Sequence, residues 1–177
     1  MALTRLGGAN AISGIIPVAN GGTGASSFSP GKILQIVQGT TSVTHTTTST
    51  TPADTGLTVD ITPASSSNKV LVMASFPVRF YKTSNYYANG MFNLKRDTTN
   101  IIARSGSNVQ DFGVEAGALG SSSYVSNPIK MHMQILDSPS TTSATTYKVQ
   151  AAAFASTSVE SMWNSQPGHI IVMEVSA

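Results

Sequence analysis

The sequence predicts an all-β protein, an antiparallel β-sandwich of jelly-roll type, and three observations predict it. Apolar and polar residues alternate along several segments. No segment keeps a helical period beyond about two turns. Turn-forming residues separate the apolar runs at spacings of roughly 10 to 20 residues, which suits seven or eight strands rather than a parallel sheet with crossover helices.

Each element follows from its own residues. Lys32 to Gln38, KILQIVQ, is a mostly apolar run that opens the body, followed by the threonine-rich TTSVTHTTTSTTPADTG. Leu57, Val59 and Ile61 alternate with Thr58, Asp60 and Thr62, a half-buried strand ending at Pro63. Val70, Val72, Ala74, Phe76, Val78 and Phe80 hold one face of a longer strand and are expected to point into the core. Pro77 lacks a backbone N–H, so a bend, a bulge or a sheet edge is expected there. Phe92 and Leu94, the turn residues Asp97-Thr98-Thr99-Asn100, and Ile101-Ile102 read as a hairpin. Residues 105–127, rich in Gly and Ser, read mainly as loop. Ile129, Met131, Met133 and Ile135 alternate with Lys130, His132 and Gln134, again with the apolar face inward. After the turn Asp137-Ser138-Pro139-Ser140, Tyr147, Val149 and Ala151 open a strand that reaches Phe154. A loop, STSVESMWNSQPG, leads to the closing strand HIIVMEVS.

Ahead of this body, Ile16-Pro17-Val18-Ala19-Asn20-Gly21-Gly22-Thr23-Gly24-Ala25-Ser26-Ser27 has too few apolar side chains to build a core. Residues 1–30 are therefore expected to form an extended segment and residues 31–177 a single β-rich domain. Glycine has much conformational freedom to lose on ordering, so such a segment is ordered only by contact with other chains. Its apolar residues Ile12, Ile15, Ile16 and Val18 sit among glycines, and copies brought together would shield them.

Composition narrows the function classes. Charged residues make up 10% of the chain, against a usual share of about a quarter. Serine and threonine fill much of the gap, at roughly a quarter of all residues. A surface of hydroxyls instead of charges suits a rigid extracellular or particle-borne β protein. The net charge of +2 arises from ten basic and eight acidic residues, scattered apart from the adjacent pair Lys95-Arg96. Phosphate-dominated binding needs a clustered positive surface, so no nucleic-acid partner is expected. There are no cysteines, which excludes disulfides, thiolate metal sites and cysteine nucleophiles. MALTRLGGANAISGIIP lacks a continuous apolar run of signal-peptide length, and no stretch approaches the ~20 apolar residues of a membrane-spanning helix. Neither a cleaved export signal nor membrane insertion is expected. A virus particle, assembled inside a cell and released by lysis, reconciles an external composition with the absence of an export signal.

No stretch of the sequence completes a catalytic or cofactor motif. Gly22-Thr23-Gly24-Ala25-Ser26-Ser27 begins like a dinucleotide loop, but serine stands where the third glycine belongs and no strand or helix flanks it. Gly31-Lys32 is followed by Ile33, not Ser or Thr, so it fails as a phosphate-loop lysine. His45, His132 and His169 lack metal-ligand spacing. The acids Asp54, Asp60, Asp97, Asp111, Asp137, Glu115, Glu160 and Glu174 mostly fall in turns or on polar strand faces, so no glycosidase pair is assigned. The expectation is a protein without enzymatic activity, cofactor or metal. The aromatics offer more. Tyr86 and Tyr87 follow the polar bend Lys82-Thr83-Ser84-Asn85, and Trp163 sits in Ser161-Met162-Trp163-Asn164-Ser165-Gln166. Aromatic faces beside amides can hold a sugar ring, so Tyr86, Tyr87 and Trp163 are the candidate receptor contacts. Alternatively, Tyr81 and Trp163 plug the end of the sandwich or a subunit interface.

The phrase IPVANGGTGASS, followed by GKILQIVQGTT through TGLTVDITPASSSNKVLVMASF and then FNLKRDTTNIIA, resembles bacteriophage tail-fibre and related virion proteins. The resemblance runs from about Ile12 to Phe154. It implies a phage virion protein, a homotrimer whose N-terminal segment, with Ile12, Ile15, Ile16 and Val18, attaches to other virion proteins of tail, baseplate or capsid. The chain departs from a long fibre in having only about thirty residues before the domain, with no heptads or β-helical repeat. A short fibre or fibre-tip knob that binds host-surface glycan is therefore expected. The alternative is a capsid or tail decoration protein with a purely structural role.

Overall fold

A computed structural model describes residues 33–82, 88–103, 113–116, 125–154 and 157–177. Ile12, Ile15, Ile16 and Val18, and the candidate contacts Tyr86 and Tyr87, lie outside the described residues. Eleven strands are described: β1 (Ile33–Thr41), β2 (His45–Thr47), β3 (Ala53–Ile61), β4 (Lys69–Lys82), β5 (Ala88–Arg96), β6 (Thr99–Ile102), β7 (Gly113–Ala116), β8 (Val125–Asp137), β9 (Thr145–Phe154), β10 (Ser158–Ser161) and β11 (Gly168–Val175). All pair antiparallel. Among the described residues, no helix is long and apolar enough to cross a membrane.

The strands form a six-stranded and a five-stranded sheet. With the short β2, β7 and β10 set aside, their orders are β1-β11-β4-β8 and β3-β9-β5-β6. The first and last strands lie side by side and the chain repeatedly crosses between layers, which is the wrap of a jelly roll. The sandwich predicted from sequence is thus the observed fold, with more strands than the seven or eight expected.

The alternating segments supply the core. Val70, Val72, Phe76, Val78 and Phe80 of β4 are fully buried, and Ala74 nearly so. They meet Leu57, Val59 and Ile61 of β3, Phe92 and Leu94 of β5, and Tyr147, Val149 and Ala151 of β9. Met133 joins them from β8, with Ile129, Met131 and Ile135 packed alongside. Each such aliphatic or aromatic side chain contributes about 2 kcal/mol on leaving water. Phe92 receives Phe76 and Phe80 edge-on, at centroid distances of 5.1 and 6.3 Å, so the two sheets interlock through one aromatic trio. At Gly39, close approach between the sheets forbids a side chain: an added Cβ would lie 1.9 Å from the Thr58 carbonyl oxygen.

Four sequence readings are corrected. Pro77 is not at a sheet edge. It lies in central β4, paired with Lys130 of β8, but the other flank is served by β11 as far as Ser75 and by β10 only from Val78. Proline therefore occupies a natural gap in one ladder, where a missing donor costs least. The Gly/Ser-rich region contains β7, and β8 begins at Val125, earlier than Ile129. The loop before the closing strand contains β10, and the threonine tract contains β2; these two pair with each other, and β10 pairs with the second half of β4. Asp137, expected in a turn, closes β8, and both it and Glu174 are buried where the sequence predicts solvated carboxylates. The Asp137 carboxylate accepts from Arg96 Nη1 at 2.7 and 2.8 Å and from the Tyr147 hydroxyl at 2.7 Å. Glu174 accepts from Gln35 Nε2 (2.6 Å), Asn68 Nδ2 (2.6 Å) and the Ala64 amide (2.7 Å).

The predicted hairpin is present, its turn at Asp97-Thr98. Asp97 takes a left-handed φ of 49°, a conformation that aspartate tolerates better than most residues. Its amide donates to the Thr146 carbonyl and its Oδ1 accepts from the Thr146 amide, at 2.7 and 2.9 Å, tying the turn to β9.

The two outer faces differ in chemistry. On the five-stranded sheet, Lys148 Nζ and Gln150 Nε2 both donate to Asp54 at 2.7 Å, and the Thr146 hydroxyl donates to Asp60 at 2.6 Å. On the six-stranded sheet, register lines up cross-strand rows over β1, β11, β4 and β8. The first is Ile36–Met173–Leu71–Leu136, the second Gln38–Ile171–Met73–Gln134 and the third Thr40–His169–Ser75–His132. Ile36 and Leu136 are 59% and 50% exposed. At the start of β1 the register slips between Ile33 and Gln35, leaving Ile33 and Leu34 exposed as well.

Candidate functional site

Trp163 is the one candidate aromatic within the described residues, and the chain holds it on a strained turn. A 3-10 turn, Trp163–Ser165, connects β10 to β11. Met162, Asn164 and Ser165 all have left-handed φ, at 51°, 59° and 55°. Such conformations cost non-glycine residues roughly 1 kcal/mol or more each and persist only where the surroundings impose them. Here the surroundings are explicit. The Met162 side chain is fully buried in the core, against Gly168, where an added Cβ would meet Met162 Sδ and Phe76 Cβ at 3.0 Å. The Thr44 hydroxyl donates to the Met162 carbonyl at 2.8 Å and accepts from the Ser165 amide at 3.4 Å. The Gln166 amide donates to the Trp163 carbonyl at 3.3 Å.

The half-buried indole is stacked with a cation. Arg79 Cζ lies 5.5 Å from the Trp163 ring centroid and 5.5 Å from that of Tyr81. The guanidinium is aligned by Glu160, which accepts from Nε and Nη2 at 2.8 and 2.7 Å. Arg79 and Glu160 are cross-strand partners in β4 and β10, so strand pairing fixes the stack. The planar fork gives a bidentate, directional contact that lysine would not provide.

Beside the indole runs a cleft of about 330 Å³ lined by Pro77, Pro128, Ile129, Lys130, Trp163, Gln166, Pro167 and His169. That volume falls at the lower end of small-ligand sites. The lining combines an aromatic wall and proline rings with an amide, an imidazole and an ammonium group, which suits a polyhydroxylated ligand with an apolar ring face. It contains no carboxylate among the described residues. A neighbouring hollow of about 500 Å³, sharing His169, is floored by Met73, Ser75, His132, Met133 and Gln134 and has no aromatic wall.

The acids with described side chains are engaged elsewhere. Asp54, Asp60, Asp97, Asp137, Glu160 and Glu174 hold the strand, turn and loop contacts given above, and side chains of Asp111 and Glu115 are not described. Of the histidines, His169 Nδ1 lies 3.0 Å from Gln38 Nε2. His132 is exposed on β8, and His45 Nδ1 is buried without a partner in β2. No three His, Asp or Glu side chains converge as a metal site requires, among the described residues.

Sequence reasoning placed Trp163, with the neighbouring Gln166 amide, in a candidate site but missed Arg79, Lys130 and His169. One signal was available for two of them. Alternation puts Arg79 opposite the core face of β4 and Lys130 opposite the core face of β8. Their meeting with Trp163 depends on which strands pair, which no local pattern carries. No protein-family model matches the chain, and comparison with curated proteins finds none similar to it.

Proposed function

We propose that the chain is a bacteriophage virion protein: a short-fibre or fibre-tip head, homotrimeric, that binds host-surface glycan through the cleft beside Trp163. The observation that carries this reading is the indole itself, pinned on a strained turn by Thr44 and Met162 and backed by Arg79. An aromatic plane held that firmly contributes contact area with little entropy left to lose, which is what weak sugar recognition needs. Gln166, His169 and Lys130 supply polar partners at its edge. The jelly-roll body and the resemblance of the Gly-rich N-terminal phrase to fibre proteins support the placement on a virion. Residues Ile12, Ile15, Ile16 and Val18 then serve attachment to the particle, and a trimer multiplies weak sites into useful avidity.

Trp163 is the only tryptophan, so its fluorescence reports on the cleft directly. Titration with a panel of bacterial surface polysaccharides should quench or shift it, and Trp163→Ala and Gln166→Ala should each weaken host-cell binding tenfold or more, about 1.4 kcal/mol. Unchanged binding by both variants would remove the cleft from the proposal. The second reading, a decoration protein with a purely structural role, needs no sugar site and draws on the apolar outer rows of the six-stranded sheet, which suit packing between subunits. Labelling of intact virions at the capsid, together with no polysaccharide binding, would select it.

A further inference from the structure

The outer face of the six-stranded sheet is the least solvent-adapted surface among the described residues. Its first row is apolar from end to end, Ile36–Met173–Leu71–Leu136, and Ile171 and Met73 continue the patch into the second. At strand spacings of about 4.8 Å these six contiguous apolar positions cover roughly 200 Å² in projection, and exposed apolar surface rimmed by polar residues is a mark of interaction sites. Ile36 and Leu136, more than half and half exposed, flank its first row. The opposite sheet shows what this fold does with a solvent-facing surface: it lays down Asp54, Lys148, Gln150 and Asp60.

We infer that this face packs against the same face of further copies of this chain; the inference rests on the homo-oligomeric part of the reading above and names its surface. The charge pattern selects self-association over a foreign partner. Not one Asp, Glu, Lys or Arg occurs in the three rows. A side chain near a rotation axis meets its own copies, so a charged group there faces its like, and an uncharged face is the self-compatible one. The rows also grade correctly for an interface: an apolar first row, a mixed second row, and a polar third row of Thr40, His169, Ser75 and His132 as rim. The Trp163 cleft shares His169 with that rim and extends past it to Pro77 and Lys130, so it stays open when only the first two rows are covered.

Light scattering on the purified full-length protein at micromolar concentration tests this, with Ile36→Glu/Leu136→Glu on the face and Thr58→Glu on the opposite sheet as control. The expected result is an oligomer for the unmodified chain and the control, and a monomer with an undiminished cooperative β-type melt for the double variant. If the Glu variant fails to fold, Ile36→Gln/Leu136→Gln should raise the dissociation constant at least tenfold while folding normally. An unmodified oligomer whose mass and affinity survive both double variants would overturn the surface while leaving oligomerisation standing. A monomeric unmodified chain would overturn self-association itself and leave the face to another partner. Neither result bears on glycan binding by Trp163.

Discussion

Glu174 is a buried carboxylate held by hydrogen bonds from Gln35, Asn68 and the Ala64 amide. It is 1% exposed. Burial alone would raise the pKa of its carboxyl, but hydrogen bonds from Asn68, Gln35 and the Ala64 and Ser65 amides outweigh it and hold the group below the usual carboxylate range. A carboxylate whose folded pKa is depressed contributes stability that is full above its unfolded value and is lost as pH falls through the folded one. The protein should therefore lose melting temperature as acid is added below about pH 4, and Glu174→Gln should flatten part of that slope. Glu174→Ala strands its donors at a buried site and should cost about 3 kcal/mol in urea denaturation at neutral pH. Arg79 is the second informative residue. Its removal uncovers the indole and leaves Glu160 unpaired, so Arg79→Ala should shift Trp163 emission to the red and cost about 1–3 kcal/mol.

Among elements, the contrast lies between strands that announce themselves and strands that do not. β4 and β9 were legible because six and three alternating apolar side chains respectively reach the core from one strand. In β10, Ser-Val-Glu-Ser, Val159 alone is apolar, and in β2, His-Thr-Thr, no residue is. These two strands exist because the second half of β4 leaves a flank for β10 to fill, a fact of topology rather than of local pattern. Trp163 was legible as an aromatic in a polar loop. Arg79, 84 positions earlier in the sequence, entered its environment only through the β4–β10 register. Pro77 misled for the same reason: proline reads as an edge, and the gap that admits it is visible only once β11 and β10 are known to succeed one another. At Gly39 the demand is steric. Gly39→Ala forces β1 away from Thr58 of β3 and should destabilise the protein by about 3 kcal/mol, measured as a fall in denaturation midpoint.

At the scale of the molecule, the described residues all belong to the compact unit Lys32–Ala177 and supply a contiguous buried cluster of their own. A protein trimmed to those residues should keep a β-type circular dichroism spectrum and a cooperative thermal transition within a few degrees of the full chain. A helical or non-cooperative product would mean that the N-terminal residues belong to the folding unit.

The body is joined to the rest of the chain through residue 32, next to Ile33, and Ile33 begins the ladder between β1 and β11 that runs to Thr41 and Gly168. Antiparallel hydrogen bonds stand perpendicular to their strands. A pull on that tether along the β1 axis loads the ladder in shear, so its bonds must yield together instead of opening one at a time. Gln35, bonded to Glu174 and to the Thr62 carbonyl, rivets the strand close to where the load enters. Pulled from residue 32 against Lys148, the domain should resist single-molecule stretching more strongly than when pulled across the sheet, and Gln35→Ala should lower the rupture force.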